Sequence, residues 1–140
     1  MEIANLNYWA ILTCGVMSMV VGSMWYSSVL FAKPWMRLNG KNLEQIQQEM
    51  KSRNMVALYC AQFVAALVVA YVLAHFIVFL RAHTAWDGVV TGLWLGVGFV
   101  LATSLGSYLF ENRPLKLFWI NNGYTVVMLV LMGAVLAAWR

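Results

Sequence analysis

Gln62, Asn121 and Asn122 are the side chains whose placement most needs explaining. Each puts a neutral amide inside a long apolar run. An amide without a partner in hydrocarbon costs several kcal/mol, so each must face one. Tyr26, Ser107 and Tyr124 add hydroxyls in the same parts of their runs, and Glu111 and Arg113 stand just beyond one of them. These eight residues are the candidates for a polar cleft that admits a headgroup or small solute. The plainer account is interhelical hydrogen bonding that locks the chain together, worth about 0.6–2 kcal/mol per bond.

Other chemistries lack their residues. Charges inside a membrane mark proton relays and voltage sensors, yet every Asp, Glu, Lys and Arg falls at the end of an apolar run or between runs. Glu111 comes closest, and Arg113 beside it makes a surface ion pair the expected role. His75 and His83 would stand roughly 12 Å apart on one helix, too far to share a metal ion. His75 is instead expected to hydrogen-bond across helices or into a small polar pocket. Cys14 and Cys60 fall toward opposite ends of their helices, whereas a disulfide needs Cα atoms within about 7 Å; both are expected to act as small packing residues. There is no Cys-x-x-Cys, His-Glu-x-x-His, phosphate-binding glycine loop or Gly-x-Ser-x-Gly. No catalytic residue, metal or cofactor is expected, and the chain is not expected to be an enzyme.

The elements that must position these residues are apolar helices. The 140-residue chain is 63% hydrophobic and 10% charged, against roughly 45–50% and about 25% in a soluble domain. So few charges cannot cover a water-facing surface. Four runs, at about 7–31, 55–80, 86–110 and 117–139, each reach the roughly 20 residues that cross a bilayer. The first is too long for a signal-peptide core and follows no basic segment, so it is expected to stay in the membrane. The fold class is therefore an all-α membrane protein with four transmembrane helices in one bundle, a single domain over 1–140.

The linker, 32–54, is the one strongly polar segment. Pro34 marks its break from the first run. Leu43, Ile46 and Met50 recur at helical spacing among charged and amide residues, which predicts a short amphipathic helix in the headgroup region. Asn42 and Gln45 fit a capping box. Lys33, Arg37, Lys41, Lys51 and Arg53 could contact anionic lipid at about 1 kcal/mol each.

Basic residues also set orientation. The net charge of +4 suggests nothing about nucleic acid, because seven of the nine Lys and Arg residues lie in the linker or in the turn at 111–116 and two, Arg81 and Arg140, on the other side. By the positive-inside rule the linker is cytoplasmic and both termini are outside. Tyr8, Trp9, Trp86 and Trp139 mark the outer interface, and Trp35, Tyr59, Tyr108 and Trp119 the inner one.

Lipid removes the hydrophobic drive between helices, so close packing through small residues must replace it. Gly88, Gly92 and Gly96 make one stripe on the third helix, and Gly98, Ala102 and Gly106 a second. Gly22 and Gly133 belong to stripes on the first and fourth. One stripe could serve a homodimer. Residues 28–38 echo residues 107–117, each carrying a basic residue before proline, which suggests a parallel 2+2 helix repeat about the membrane normal.

Trp25-Tyr26-Ser27-Ser28-Val29-Leu30-Phe31 with Lys33-Pro34-Trp35-Met36 resembles the first helix and its exit in a bacterial membrane family known as domain of unknown function 1761. Phe110 through Leu117, Asn121 through Tyr124, and Met132-Gly133 resemble that family's C-terminal half. The resemblance covers nearly the whole chain. It implies a four-helix protein of the bacterial inner membrane whose function is not established, and it carries over no catalytic residue. Three roles are expected in turn: association with itself or another membrane protein, a small dimeric transporter or solute-binding protein using the cleft, and lipid contact through the linker.

Overall fold

A computed structural model describes residues 5–139; Arg140, counted above for orientation, lies outside them. The described residues form helices and turns without a strand, and four helical stretches are long and apolar enough to span a membrane. The chain is a multi-pass, all-α membrane protein.

Helix α1, Tyr8–Trp25, starts at Asn7, whose side-chain oxygen accepts from the backbone of Trp9 and Ala10. It ends six residues before the expected boundary at 31. Ser23 and Ser27 donate to the carbonyls of Val20 and Met24, and the Trp25 indole donates across to the Ile120 carbonyl at 2.9 Å. The serine bonds close the last turn, and the Trp25 bond ties it to α7 while the chain turns through 26–31. Pro34 therefore does not make the break. It sits in the first turn of α2, Ala32–Leu38, where a missing N–H costs nothing.

Helix α3, Leu43–Ser52, is the expected amphipathic helix, and the Asn42–Gln45 capping box closes in both directions at 2.8 and 3.0 Å. Helix α4, Met55–Phe79, is the second span. The third comprises α5, Ala85–Leu95, a π-helical segment, Gly96–Leu101, and α6, Ala102–Phe110. Thr84 and Asp87 form a second capping box at its start, unforeseen in the sequence. Helix α7, Leu115–Ala138, is the fourth span. One end of the bundle, here the linker side, carries α2, α3 and the turn at 111–114. The other, the terminal side, carries Asn7, the turn at 80–84 and Trp139.

Most of the core lies toward the terminal side. Ala10 and Cys14 of α1, Ala66, Ala70, Leu73, Ala74 and Ile77 of α4, and Met128, Met132, Leu136 and Ala137 of α7 are buried together. Small residues let these backbones approach. The α5–α7 contact is tighter still: a Cβ at Gly88 would strike the Gly133 carbonyl, and one at Gly92 would lie 2.6 Å from the Leu129 carbonyl carbon. Gly96 faces Val126. The Gly88–Gly92–Gly96 stripe is thus consumed within the protomer.

The second stripe is not: Gly98 stands about 200° from Gly96, and the π segment turns Gly106 aside. Four residues overshoot a 3.6-residue turn by about 40°. Continued through Val100, Ser104 and Tyr108, the inward row would drift well around the helix. The wider i→i+5 turn removes part of that drift, so Val100 and Ser104 are half-buried and Tyr108 buried on the α7 side. Gly98 and Gly106 then have nothing within 4 Å of an added Cβ. The expected packing role for Gly106 is therefore not met inside the protomer.

The two echoed segments diverge after their prolines. Pro34 is the third residue of the seven-residue α2, whereas Pro114 caps the 24-residue α7.

Candidate functional site

Toward the linker side the first, second and fourth spans separate. From Val56 to Ala65, α4 leaves every residue exposed except Phe63, which is half-buried. The cause is side-chain size. Ala66, Ala70 and Ala74 are buried and let the other end of α4 come close, whereas the larger Tyr59 and Gln62 stay exposed and line a gap with Tyr26 and Tyr124. The result is an open cleft of about 520 Å³, within the usual ligand-pocket range.

Helix α1 lines the cleft with Ser18, Met19, Gly22 and Ser23, and Tyr26 follows. Helix α4 contributes Tyr59 and Gln62, and α7 contributes Asn121, Tyr124 and Thr125. No charged residue lines it. The α1 and α7 walls satisfy one another. Tyr124 donates to the Ser18 carbonyl at 3.0 Å and lies 3.1 Å from the Ser18 hydroxyl. Tyr26 donates to Asn121 Oδ1 at 3.1 Å, and Asn121 Nδ2 donates to the Tyr108 hydroxyl at 3.0 Å. Gly22 leaves room for the Tyr124 hydroxyl, which a Cβ there would meet at 3.0 Å. Among the described residues, no buried side-chain nitrogen or oxygen lacks a partner.

The α4 wall differs. Neither the Tyr59 hydroxyl nor the Gln62 amide has a hydrogen-bond partner among the described residues, and both line the cleft. Three apart on a helix, they are face neighbours. Both are exposed, with their bonding capacity open.

Of the eight expected site residues, Tyr26, Gln62, Asn121 and Tyr124 meet here. The other four do not. Asn122 is buried on the opposite flank of α7, accepting from Ser104 at 3.0 Å and donating to the Phe118 carbonyl at 3.0 Å. Consecutive helical residues point about 100° apart, so the two asparagines could not share a site. Ser107 is exposed on α6. Glu111 and Arg113 pair at 3.7 Å in the turn, and the Arg113 guanidinium stacks 4.5 Å from the Tyr108 ring centre. Ser18, Ser23 and Tyr59 were not foreseen. Their signal was small polar residues at helical spacing on α1, and Tyr59 three residues before Gln62.

A second cavity, about 590 Å³, adjoins the first. Tyr26 and Asn121 line both. Its other walls are largely apolar: Ala32, Trp35 and Met36 of α2, and Leu43 and Ile46 of α3.

Elsewhere His75 bonds the Tyr71 carbonyl of its own helix at 2.9 Å, not another helix. Among the described residues no group of His, Cys, Asp and Glu could hold a metal. Cys14 is buried and Cys60 exposed, both as free thiols. In the linker, Lys41 holds Glu49 at 2.9 Å, and that hydrogen bond keeps the Glu49 carboxyl below its ordinary range.

No curated protein and no solved structure matches the chain. One family model does, described as "Protein of unknown function (DUF1761)" and matching residues 9–137, so this four-span protein with its one-sided polar cleft belongs to that family.

Proposed function

We propose that this protein is a non-enzymatic membrane binding protein, seated in the inner membrane with its linker side toward the cytoplasm, that takes a small solute or lipid headgroup into the α1–α4–α7 cleft. The observation that carries this reading is the Tyr59–Gln62 wall, which offers unmet hydrogen bonds from the inner interface, at Tyr59, into the span, at Gln62. An amide aimed at plain lipid would cost several kcal/mol; one lining a cleft meets a polar occupant. The packed terminal half supports binding from one side rather than an open pore. Seven basic residues beside the linker-side helix ends support the orientation. The test replaces Ser23, on the cleft wall, with tryptophan. Organic extracts of purified wild type are expected to contain one retained small molecule per chain, absent from S23W; indistinguishable extracts would refute the reading.

A second reading is self-association. Gly98 and Gly106 carry open space around them, and Trp94, one turn from Gly98, is 76% exposed. A neighbouring copy could pack there as glycine stripes pack elsewhere. Gly98→Leu is expected to convert a dimer in mild detergent to monomer; a monomeric wild type ends this reading. Lys33, Arg37, Lys51 and Arg53 support contact with anionic lipid, with Lys41 already engaged by Glu49.

A further inference from the structure

The occupant's chemistry follows from how the two cavities are joined. This step rests on the cleft being a binding site. No Lys, Arg, Asp or Glu lines the polar cavity, so a charged head would shed water without gaining a counterion, which is costly in a low-dielectric site. The open bonding capacity is neutral: one phenol and one carboxamide, able to donate and accept. The α1 and α7 walls are already satisfied and act as a fixed backing. Beyond the Tyr26–Asn121 pair the space changes character. The adjoining cavity has Trp35, Met36, Leu43 and Ile46 as walls and presents mainly apolar surface. A purely polar solute would use only the first cavity. A molecule with a polar end and an apolar body would use both.

We propose that the cleft binds an uncharged amphiphile, its hydroxyl- or carbonyl-bearing head held by Tyr59 and Gln62 and its apolar body lodged against α2 and α3. The ligand reaches the site from the linker-side leaflet or from water as a monomer. The head chemistry is the same in both cases.

The experiment uses the full chain in mild detergent with three probes, read by native mass spectrometry. Dioctanoylglycerol has an uncharged head and chains, dioctanoyl phosphatidic acid has the same chains with an anionic head, and glycerol has the head without chains. Dioctanoylglycerol is expected to bind at one per chain, at least tenfold tighter than either other probe. Gln62→Leu is expected to weaken it about tenfold, the size of one hydrogen-bond exchange. Ile46→Trp, made on a helix outside the spans, fills the apolar cavity and is expected to weaken it as much; it serves if Q62L does not fold. Equal or tighter binding of phosphatidic acid overturns the uncharged head while leaving the cleft as a site. Glycerol binding as well as dioctanoylglycerol, or I46W binding it unchanged, overturns the apolar body. Binding of none of the three by wild type overturns the proposal, and the S23W extracts then decide separately whether the cleft binds anything else. Repeating the titration in nanodiscs separates the routes: added lipid that binds only after incorporation came through the leaflet, and either route supports the proposal.

Discussion

Replacing Gly92 with alanine puts one methyl group between two backbones. The added Cβ would lie 2.6 Å from the Leu129 carbonyl carbon and 2.8 Å from Val130 Cα. Carbon atoms in good contact sit about 3.5–4.0 Å apart, so α5 and α7 must part by about 1 Å. A gap of that size forfeits a quarter to a half of the dispersion well for each contacting pair. In lipid no hydrophobic drive compensates. Both obstructing atoms are backbone, so no rotamer change relieves them. Overpacking of this kind costs about 1–3 kcal/mol, reduced by up to about 1 kcal/mol because alanine favours a helix more than glycine does. The matched control is Gly98→Ala, on the same span but with nothing within 4 Å. It is expected to be neutral or stabilising by up to about 1 kcal/mol. Dodecyl sulfate titration of dilute protein in mild detergent, followed by near-ultraviolet circular dichroism, reads loss of packing rather than of helix. An unchanged midpoint for G92A, or an equal loss for G98A, would refute the assignment of the first stripe to the inside and the second to the outside.

Tyr124→Phe removes the hydroxyl that ties α7 to Ser18; the same titration should show a loss of about 0.6–2 kcal/mol. Asn122→Leu leaves the buried Asn122 site without its bond to Ser104, and a loss of about 1–3 kcal/mol is expected. Arg81 adopts a left-handed backbone with φ of 53° just after α4, so Arg81→Gly should stabilise by about 1 kcal/mol, measured as a raised unfolding midpoint. Glu49 is half-buried, and its carboxyl is lowered chiefly by the Lys41 hydrogen bond. A lowered acid adds stability above its unfolded value and loses it as pH falls through the folded one. The Lys41–Glu49 clasp should therefore hold at neutral pH and open only below the ordinary glutamate range. A carboxyl NMR titration checks this, and Lys41→Ala should return Glu49 to that range.

The four spans were legible because long apolar runs with few charges have one stable solution in lipid. The α3 capping box was legible because it depends on two side chains three residues apart. The end of α1 was not, because it rests on Trp25 reaching Ile120, a contact between distant positions. The two stripes on the third span looked alike in sequence. Gly98 stands about 200° from Gly96, so they face opposite ways, and only the contacts of Gly88 with Gly133 and of Gly92 with Leu129 decide which one meets α7. Asn121 and Asn122 had to face different ways, but which one faces the cleft depends on how α7 is rotated, and Gly133 against Gly88 sets that rotation.

Four helices leave little interior, and this chain divides it by side-chain size. Alanine, glycine and cysteine close the terminal half until the backbones nearly touch. Tyrosine and glutamine line the open linker half. The same α4 serves both ends, tight at Ala70 and free at Tyr59. Packing alone would favour small residues along its whole length, and lipid exposure alone would favour leucine at 62. Neither accounts for a glutamine opposite a tyrosine-lined wall whose own hydrogen bonds are already complete. The proposed polar occupant would, because it would meet the amide while the packed terminal half closed the other end of the cleft.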